Sequence, residues 1–106
     1  RGPGPADGPG LRKTHVASQQ RIIRFIGDVQ GVGFRYTACR VAQGFDVAGY
    51  VRNEPDGSVL CVVEGEAPEI DQFIEALGRQ MANCIRQTQQ QSAPPSGQFP
   101  DFSVRH

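Results

Sequence analysis

The sequence predicts an α+β fold in which two helices cover one face of a four- to five-stranded antiparallel sheet. Three observations support this fold class. Strand-like and helix-like runs follow one another in the order β-α-β-β-α-β. A proline and an Asp-Gly pair separate two strand-like runs near the middle of the chain, as in a hairpin turn. The length of 106 residues suits one domain with a single hydrophobic core.

The chain divides into an amino-terminal segment, residues 1–19, and one domain, residues 20–106. Seven of the first ten residues are Gly or Pro, and apolar residues stay sparse through Gln20. Such a segment buries too little surface to offset its ordering entropy. We therefore expect residues 1–19 to be disordered.

The first predicted strand, Arg21 to Gly27, is rich in β-branched and aromatic residues and leads into a glycine-rich loop. Apolar or small residues then recur at helical spacing from Phe34 to Gln43, and Gly44 supplies a carboxyl-terminal stop. A strand, a glycine loop and a helix are thus expected in succession.

The hairpin comprises Asp46 to Asn53 and Ser58 to Glu64, joined by the turn Glu54-Pro55-Asp56-Gly57. Gly65 is expected to end the second of these strands. Pro68 then opens a second helix, whose apolar residues fit the i, i+3, i+4, i+7 pattern: Ile70, Phe73, Ile74 and Leu77.

The last part of the chain is expected to complete the sheet. Residues from Cys84 to Gln91 are polar and glutamine-rich, which indicates an edge strand. A proline-containing loop follows, and Phe102 and Val104 alternate with polar neighbours in a short final strand. The resulting order is that of the ferredoxin-like βαββαβ sandwich.

Composition limits the possible partners. Lys and Arg together number 11, as do Asp and Glu, so the zero net charge gives no support to a polyanionic partner. Three cysteines, Cys39, Cys61 and Cys84, form no C-x-x-C pair and favour a reducing compartment. No apolar run approaches membrane-spanning length. We expect a cytoplasmic monomer that binds neither nucleic acid nor membrane.

The loop from Gly27 to Arg35 has the composition of an anion site. Its glycines let successive backbone N–H groups turn into one concavity. A helix that begins near Phe34 would add its unpaired N–H groups and its positive dipole end. Arg35 would add a forked cation, which is suited to two oxygens of one phosphate.

Other phosphate-binding motifs do not fit this loop. Tyr36 stands where the third glycine of G-x-G-x-x-G belongs, and no Gly-Lys-Ser/Thr follows as in a P-loop. Neither Cys39 nor Cys84 has an arginine six positions on, as a thiol phosphatase would. RNA-recognition domains share the element order but stack bases on sheet aromatics, and none occurs from Ser58 to Glu64.

Two blocks of residues carry a family resemblance. Residues 29–35 are Val-Gln-Gly-Val-Gly-Phe-Arg, and residues 49–53 are Gly-Tyr-Val-Arg-Asn, followed by Asp56-Gly57. In this order and at this spacing, the blocks resemble the acylphosphatase family. The resemblance extends from about Arg21 to Leu77, resumes from Phe102 to Arg105, and leaves out the first twenty residues.

The resemblance implies hydrolysis of the mixed anhydride between a carboxylic acid and phosphate, without metal or cofactor. By position, it assigns phosphate binding to Arg35 and positioning of the attacking water to Asn53. The partners would be a small acyl phosphate as substrate and inorganic phosphate as product and inhibitor. Loop N–H groups would hold the phosphate oxygens, namely those of Gln30, Gly31, Val32, Gly33 and Phe34.

Each of these features also has an ordinary structural explanation. Glycines between a strand and a helix are commonly a plain tight connection, Arg35 alone fits a solvated surface position, and Asn53 alone fits the start of a turn. Their joint occurrence favours a site. Two hypotheses remain beside the enzyme: an acyl-phosphate- or carbamoyl-phosphate-binding module of a larger protein, and an inactive anion-binding domain.

Three further positions bear on these hypotheses. Asp28 departs from the family pattern, and its carboxylate would repel an incoming anion, so we expect it to point into water. His15 and His106 are expected to be neither ligands nor bases. The glutamine run 87–91 has no predicted role.

Overall fold

The computed structural model describes residues 18–106 of the chain. The sequence predicts disorder for residues 1–19. Residues 1–17 of that segment lie outside the described residues. The last two residues of that segment, Ser18 and Gln19, belong to the first strand.

Five strands and two helices follow one another as the sequence predicts, and their bounds differ from the predicted ones by at most three residues. They are β1 (Ser18–Gly27), α1 (Phe34–Ala42), β2 (Val47–Asn53), β3 (Val59–Glu66), α2 (Ala67–Gln80), β4 (Ile85–Ala93) and β5 (Phe102–Arg105). The prediction that Gly65 ends β3 is wrong. Gly65 pairs with Gln19 of β1 on one side and Val47 of β2 on the other, so the ladder carries the strand to Glu66.

The sheet has the strand order β4-β1-β3-β2-β5. The four strands β1 to β4 pair antiparallel, as predicted, and β4 lies at an edge. The fifth strand departs from the expectation of an antiparallel sheet, because β5 pairs parallel with β2. The chain leaves β4 at one edge, crosses the sheet through residues 94–101 and enters the opposite edge in the direction of β2.

One hydrophobic core lies between the sheet and the two helices. The β3 residues Val59, Cys61 and Val63 are fully buried. The helices contribute the apolar positions expected from their periodicity, and Pro68 lies in the first turn of α2. Helix-derived core residues include Phe34, Ala38, Val41, Ile70, Phe73 and Leu77. This core fixes α1 over the sheet and so fixes the loop that precedes α1.

No helix within residues 18–106 is long and apolar enough to cross a membrane.

Candidate active site

The loop between β1 and α1, residues 28–33, takes a conformation that favours glycine at two positions. Gly31 and Gly33 have φ of 77° and 78°, in the left-handed region that side chains with a Cβ rarely adopt. No atom lies within 4 Å of the place where a Cβ would stand on either residue. The loop therefore keeps open space in front of its backbone.

The backbone N–H groups from Gln30 through the first turn of α1 lack acceptors among the described residues. Gly33 is the N-cap of α1, and this helix has neither a side-chain cap nor an acidic residue in its first turn. The N–H of Thr37 donates to the carbonyl of Gly33 at 2.9 Å. In the described part of the chain, no hydrogen bond uses the N–H groups from Gln30 to Tyr36. These donors are free to bind an anion.

Arg35 and Asn53, the two predicted catalytic residues, line one cleft of about 310 Å³. Arg35 stands in the first turn of α1, and Asn53 is the last residue of β2. Gly31, Gly33 and Phe34 of the predicted phosphate loop line the same cleft. A forked cation, an amide side chain and a row of N–H donors thus face one space.

Val32 and Gln30 do not line the cleft with their side chains. Val32 is 47% exposed, so only its backbone can take the predicted role. The Gln30 side-chain nitrogen donates to the carbonyls of Glu54 at 2.8 Å and Ser58 at 2.9 Å. Both N–H groups of this amide are then used. Gln30 ties the loop to the β2–β3 turn, which begins directly after Asn53.

The β2–β3 turn is itself closed by local hydrogen bonds. The N–H of Glu54 donates to the Ser58 carbonyl at 2.9 Å, and the N–H of Gly57 donates to the Glu54 carbonyl at 3.1 Å. Asp56 accepts from the Ser58 hydroxyl and from its N–H, and these bonds hold the pKa of Asp56 below its ordinary value. Asn53 therefore projects from a fixed strand end.

Asp28 points away from the cleft, as expected. Its carboxylate lies 2.9 Å from a guanidinium nitrogen of Arg86 on β4, and both side chains are exposed. The carboxylate most at odds with anion binding is thus solvated, paired with a cation and absent from the cleft lining.

His106, which the sequence predicts to be neither a ligand nor a base, lies at the cleft. Its Nδ1 lies 3.3 Å from Nη1 of Arg35, and its ring lines the cleft. The carboxyl-terminal part of the chain reaches Arg35 because β5 pairs with β2 beside α1. Parallel pairing of a distant segment leaves no local signal in the sequence.

Sequence reasoning also missed Tyr36, Cys39 and Val104 as parts of the cleft wall. Cys39 follows Arg35 by four residues, so the helical period could have placed both on one face. Among the described residues, no group of three or more His, Cys, Asp or Glu side chains comes together as a metal centre would require.

Comparisons with known proteins agree with this geometry. The family model "Acylphosphatase" matches residues 21–104. An acylphosphatase of Paenarthrobacter aurescens is 39% identical over 82 residues, which are 76% of this chain and 87% of that protein. The crystal structure of acylphosphatase from Bacillus subtilis superposes with a TM-score of 0.71 at 31% identity, and the match covers 84% of this chain and 99% of that one.

A larger protein contains a similar unit. The crystal structure of T. kodakarensis HypF matches with a TM-score of 0.72 at 32% identity, over 83% of this chain and 12% of that one. The solved structures share this fold, and the family model spans both sequence blocks. The chain belongs to the acylphosphatase family.

Proposed function

We propose that this chain hydrolyses acyl phosphates to a carboxylate and inorganic phosphate. The observation that carries the proposal is that Arg35 and Asn53 line one cleft together with loop residues whose backbone N–H groups have no acceptor in the described part of the chain. Phosphoryl transfer from a good leaving group needs charge stabilisation and positioning more than covalent chemistry. The cleft offers both charge stabilisation and positioning.

Phosphate binding falls to the loop and to Arg35. Backbone N–H groups from Gln30 to Phe34 and the Arg35 guanidinium donate to the phosphate oxygens. Hydrogen bonds to charged groups contribute about 1.5 to 3 kcal/mol each. Several such bonds bind a phosphate firmly even though the chain has no net charge.

Asn53 orients the attacking water. Its amide has both a donor and an acceptor, which is enough to align water without removing its proton. The water oxygen forms a bond to phosphorus, the bond from phosphorus to the acyl oxygen breaks, and the carboxylate leaves with the electron pair. The proton lost by the water passes to a phosphate oxygen of the substrate. No Asp or Glu among the described residues lines the cleft, and the His106 ring lies against the Arg35 guanidinium. A carboxylate leaving group needs no general acid.

The module hypothesis has one observation in its favour. The likeness to T. kodakarensis HypF covers only 12% of that protein, so a unit of this fold also exists within a longer chain. In that case the cleft would bind an acyl or carbamoyl phosphate for another domain. An inactive anion-binding domain would bind phosphate without any turnover.

The experiment that separates these hypotheses is release of inorganic phosphate from benzoyl, acetyl and carbamoyl phosphate by the purified chain, with and without EDTA. The proposal predicts turnover of the acyl phosphates at a rate that EDTA does not change. Binding of phosphate without turnover of any substrate would favour an inactive domain. Turnover of carbamoyl phosphate alone would favour the module.

A further inference from the structure

The face of the sheet that points away from the two helices carries a second cavity, here called the open-face cavity. Its volume of about 440 Å³ lies within the range of about 300 to 1,000 Å³ that is usual for small-molecule sites. Strands β1, β2, β3 and β5 and the crossing loop, residues 94–101, contribute to its lining. It shares no lining residue with the cleft that Arg35 and Asn53 line. The open-face cavity is therefore a separate place for a ligand.

The floor of the open-face cavity is apolar. Side chains alternate between the two faces of a strand. In β3, Cys61 packs in the core, so its neighbours Leu60 and Val62 point to the opposite face. Ile22 of β1 pairs with Val62 and also lines the cavity. Leu60 and Val62 are only 8% and 7% exposed. An apolar ring that lies on this floor leaves water and gains free energy from that transfer.

One cation, Arg105, stands at the wall of the cavity and is held by two aromatic rings. Its guanidinium carbon lies 4.1 Å from the ring centroid of Tyr50 and 5.6 Å from that of Phe99. Stacking on ring faces orients the guanidinium but leaves the N–H donors at its edge unused. Among residues 18–106, no ion pair involves the Arg105 side chain. Arg105 is therefore oriented to donate to an anion.

The other charged groups of this face are already paired. Glu54 lies 2.7 Å from Arg52 and 3.9 Å from Arg24. The carboxylate of Glu64 is 8% exposed and accepts four hydrogen bonds from its neighbours. A cationic ligand would be repelled by Arg105, and an anion with several charges would find a partner for only one of them. One positive charge beside an apolar floor suits a ligand with one negative charge and an apolar body.

We propose that the open-face cavity binds a small aromatic monocarboxylate. The ring of this ligand lies on Ile22, Leu60 and Val62, and its carboxylate accepts two hydrogen bonds from Arg105, in the bidentate geometry that a guanidinium favours. A carboxylate without the ring gains little from one exposed cation. A ring without the carboxylate leaves the Arg105 donors unused. The inference concerns a site apart from the cleft and does not depend on the proposed function.

The test is calorimetric titration of the protein with 2-naphthoate. The comparison ligands are 2-naphthamide, which has the same shape without the charge, and acetate, which has the charge without the ring. We expect 2-naphthoate to bind at least about fivefold more tightly than 2-naphthamide. Acetate should show no saturable binding in the same concentration range. Equal affinity for 2-naphthoate and 2-naphthamide, or binding of acetate as tight as that of 2-naphthoate, would overturn the proposal. So would the absence of saturable 2-naphthoate binding up to about 10 mM.

A variant of the cation tests its role. Arg105→Gln removes the charge of an exposed side chain and should weaken 2-naphthoate binding about fivefold, while the Kd of 2-naphthamide changes by less than about twofold. Arg86→Gln is the matched control, because it removes another exposed arginine that lies on β4, outside the cavity lining. It should leave both constants unchanged. Unaltered 2-naphthoate binding in Arg105→Gln would contradict the assignment.

A second variant separates the open-face cavity from the cleft. Because Arg35 does not line the cavity, Arg35→Gln should keep the wild-type Kd for 2-naphthoate. In an NMR titration, we expect the largest chemical-shift changes at the methyl groups of Ile22, Leu60 and Val62. Loss of 2-naphthoate binding in Arg35→Gln, with binding retained in Arg105→Gln, would place the carboxylate in the cleft and overturn the proposal.

Discussion

Two loops of this protein present backbone N–H groups to an anion, and they differ in where the anion comes from. In the crossing loop, residues 94–101, the N–H groups of Ser96 and Gly97 donate to the carboxylate of Glu64 at 2.7 and 3.0 Å. In the loop before α1, the N–H groups from Gln30 to Tyr36 have no acceptor in the described part of the chain. One anion site is filled by the protein, and the other is left for a ligand.

The filled site serves the fold. Glu64 is 8% exposed and also accepts from the Gln20 side chain and the Ser96 hydroxyl. Burial by itself raises the pKa of this carboxyl, but the hydrogen bonds outweigh it and hold the pKa below its ordinary value. The bonds fix the crossing loop on the sheet and so guide the chain to β5.

We propose that the open site serves ligand binding. Its N–H donors, between β1 and α1, have no acceptor in the described part of the chain. The free energy of their hydrogen bonds is therefore gained only when an anion binds. The same backbone chemistry is thus structural where the chain supplies a carboxylate and functional where it supplies none. Four variants and one ligand test this contrast.

The largest expected effect is loss of activity in Arg35→Gln. Removal of one preorganised donor to a developing charge typically costs about 10²- to 10³-fold in kcat, and Arg35 can supply two donors. Hydrolysis of acyl phosphates should fall by at least that factor, measured as phosphate release at saturating substrate. The Tm should change little, because the one hydrogen-bond partner of the Arg35 side chain among the described residues is the exposed His106. Wild-type turnover in this variant would remove Arg35 from the mechanism.

Inorganic phosphate should stabilise the wild-type protein. A ligand at 100 times its Kd raises the free energy of unfolding by about 2.7 kcal/mol, which thermal denaturation measures as a higher Tm. Arg35→Gln should lose most of this shift, whereas Glu64→Gln should keep it. If both variants kept the full shift, phosphate would be binding elsewhere.

Glu64→Gln should destabilise the fold without affecting catalysis. Hydrogen bonds to a charged group are worth about 1.5 to 3 kcal/mol, and an amide cannot accept all of the donors that face Glu64. We expect a loss of about 2 kcal/mol in the free energy of unfolding, measured by denaturant titration, with kcat unchanged. Glu66→Gln is the control, because the Glu66 side chain makes no capping hydrogen bond to α2.

The pH dependence of the free energy of unfolding should differ between the wild type and Glu64→Gln. A lowered pKa in the folded state means that the stabilisation is present above the unfolded-state pKa and is lost as the pH falls through the folded-state pKa. The wild type should therefore lose stability below about pH 5 more steeply than Glu64→Gln. Parallel pH profiles of the two proteins would contradict the role assigned to the carboxylate.

A smaller effect is expected from Gln30→Met, which keeps the length of the side chain but removes its two hydrogen bonds to the β2–β3 turn. The backbone N–H of residue 30 remains, so inhibition by phosphate should be nearly unchanged. Looser placement of Asn53 should lower kcat by about fivefold. An equal loss of phosphate affinity and kcat would mean that Gln30 supports the loop and not Asn53.

The contrast between the loops also shows what the sequence can predict. The open loop was identifiable because Gly31, Gly33 and Arg35 lie within five residues and Asn53 ends a recognisable strand. The strands and helices followed from local periodicity. The hydrogen bonds around Glu64 were not predictable, because a glutamate near the end of a strand has the same local sequence pattern whether it is solvated or buried.

The wall of the cleft was missed for a related reason. Val104 and His106 reach the site only because β5 crosses the sheet and pairs parallel with β2. That pairing depends on contacts between residues about fifty positions apart, such as Val51 with Val104. No short-range pattern in the sequence records such a contact.

The most direct test of the account compares turnover with phosphate binding in Asn53→Ala. In the proposed mechanism, the loop and Arg35 bind phosphate without Asn53, whereas the attacking water depends on Asn53. We predict that kcat for benzoyl phosphate falls by about 10²-fold or more, while the inhibition constant of inorganic phosphate stays within about twofold of the wild-type value. Full activity in Asn53→Ala, or loss of phosphate binding equal to the loss of turnover, would contradict the division of roles between the open loop and Asn53.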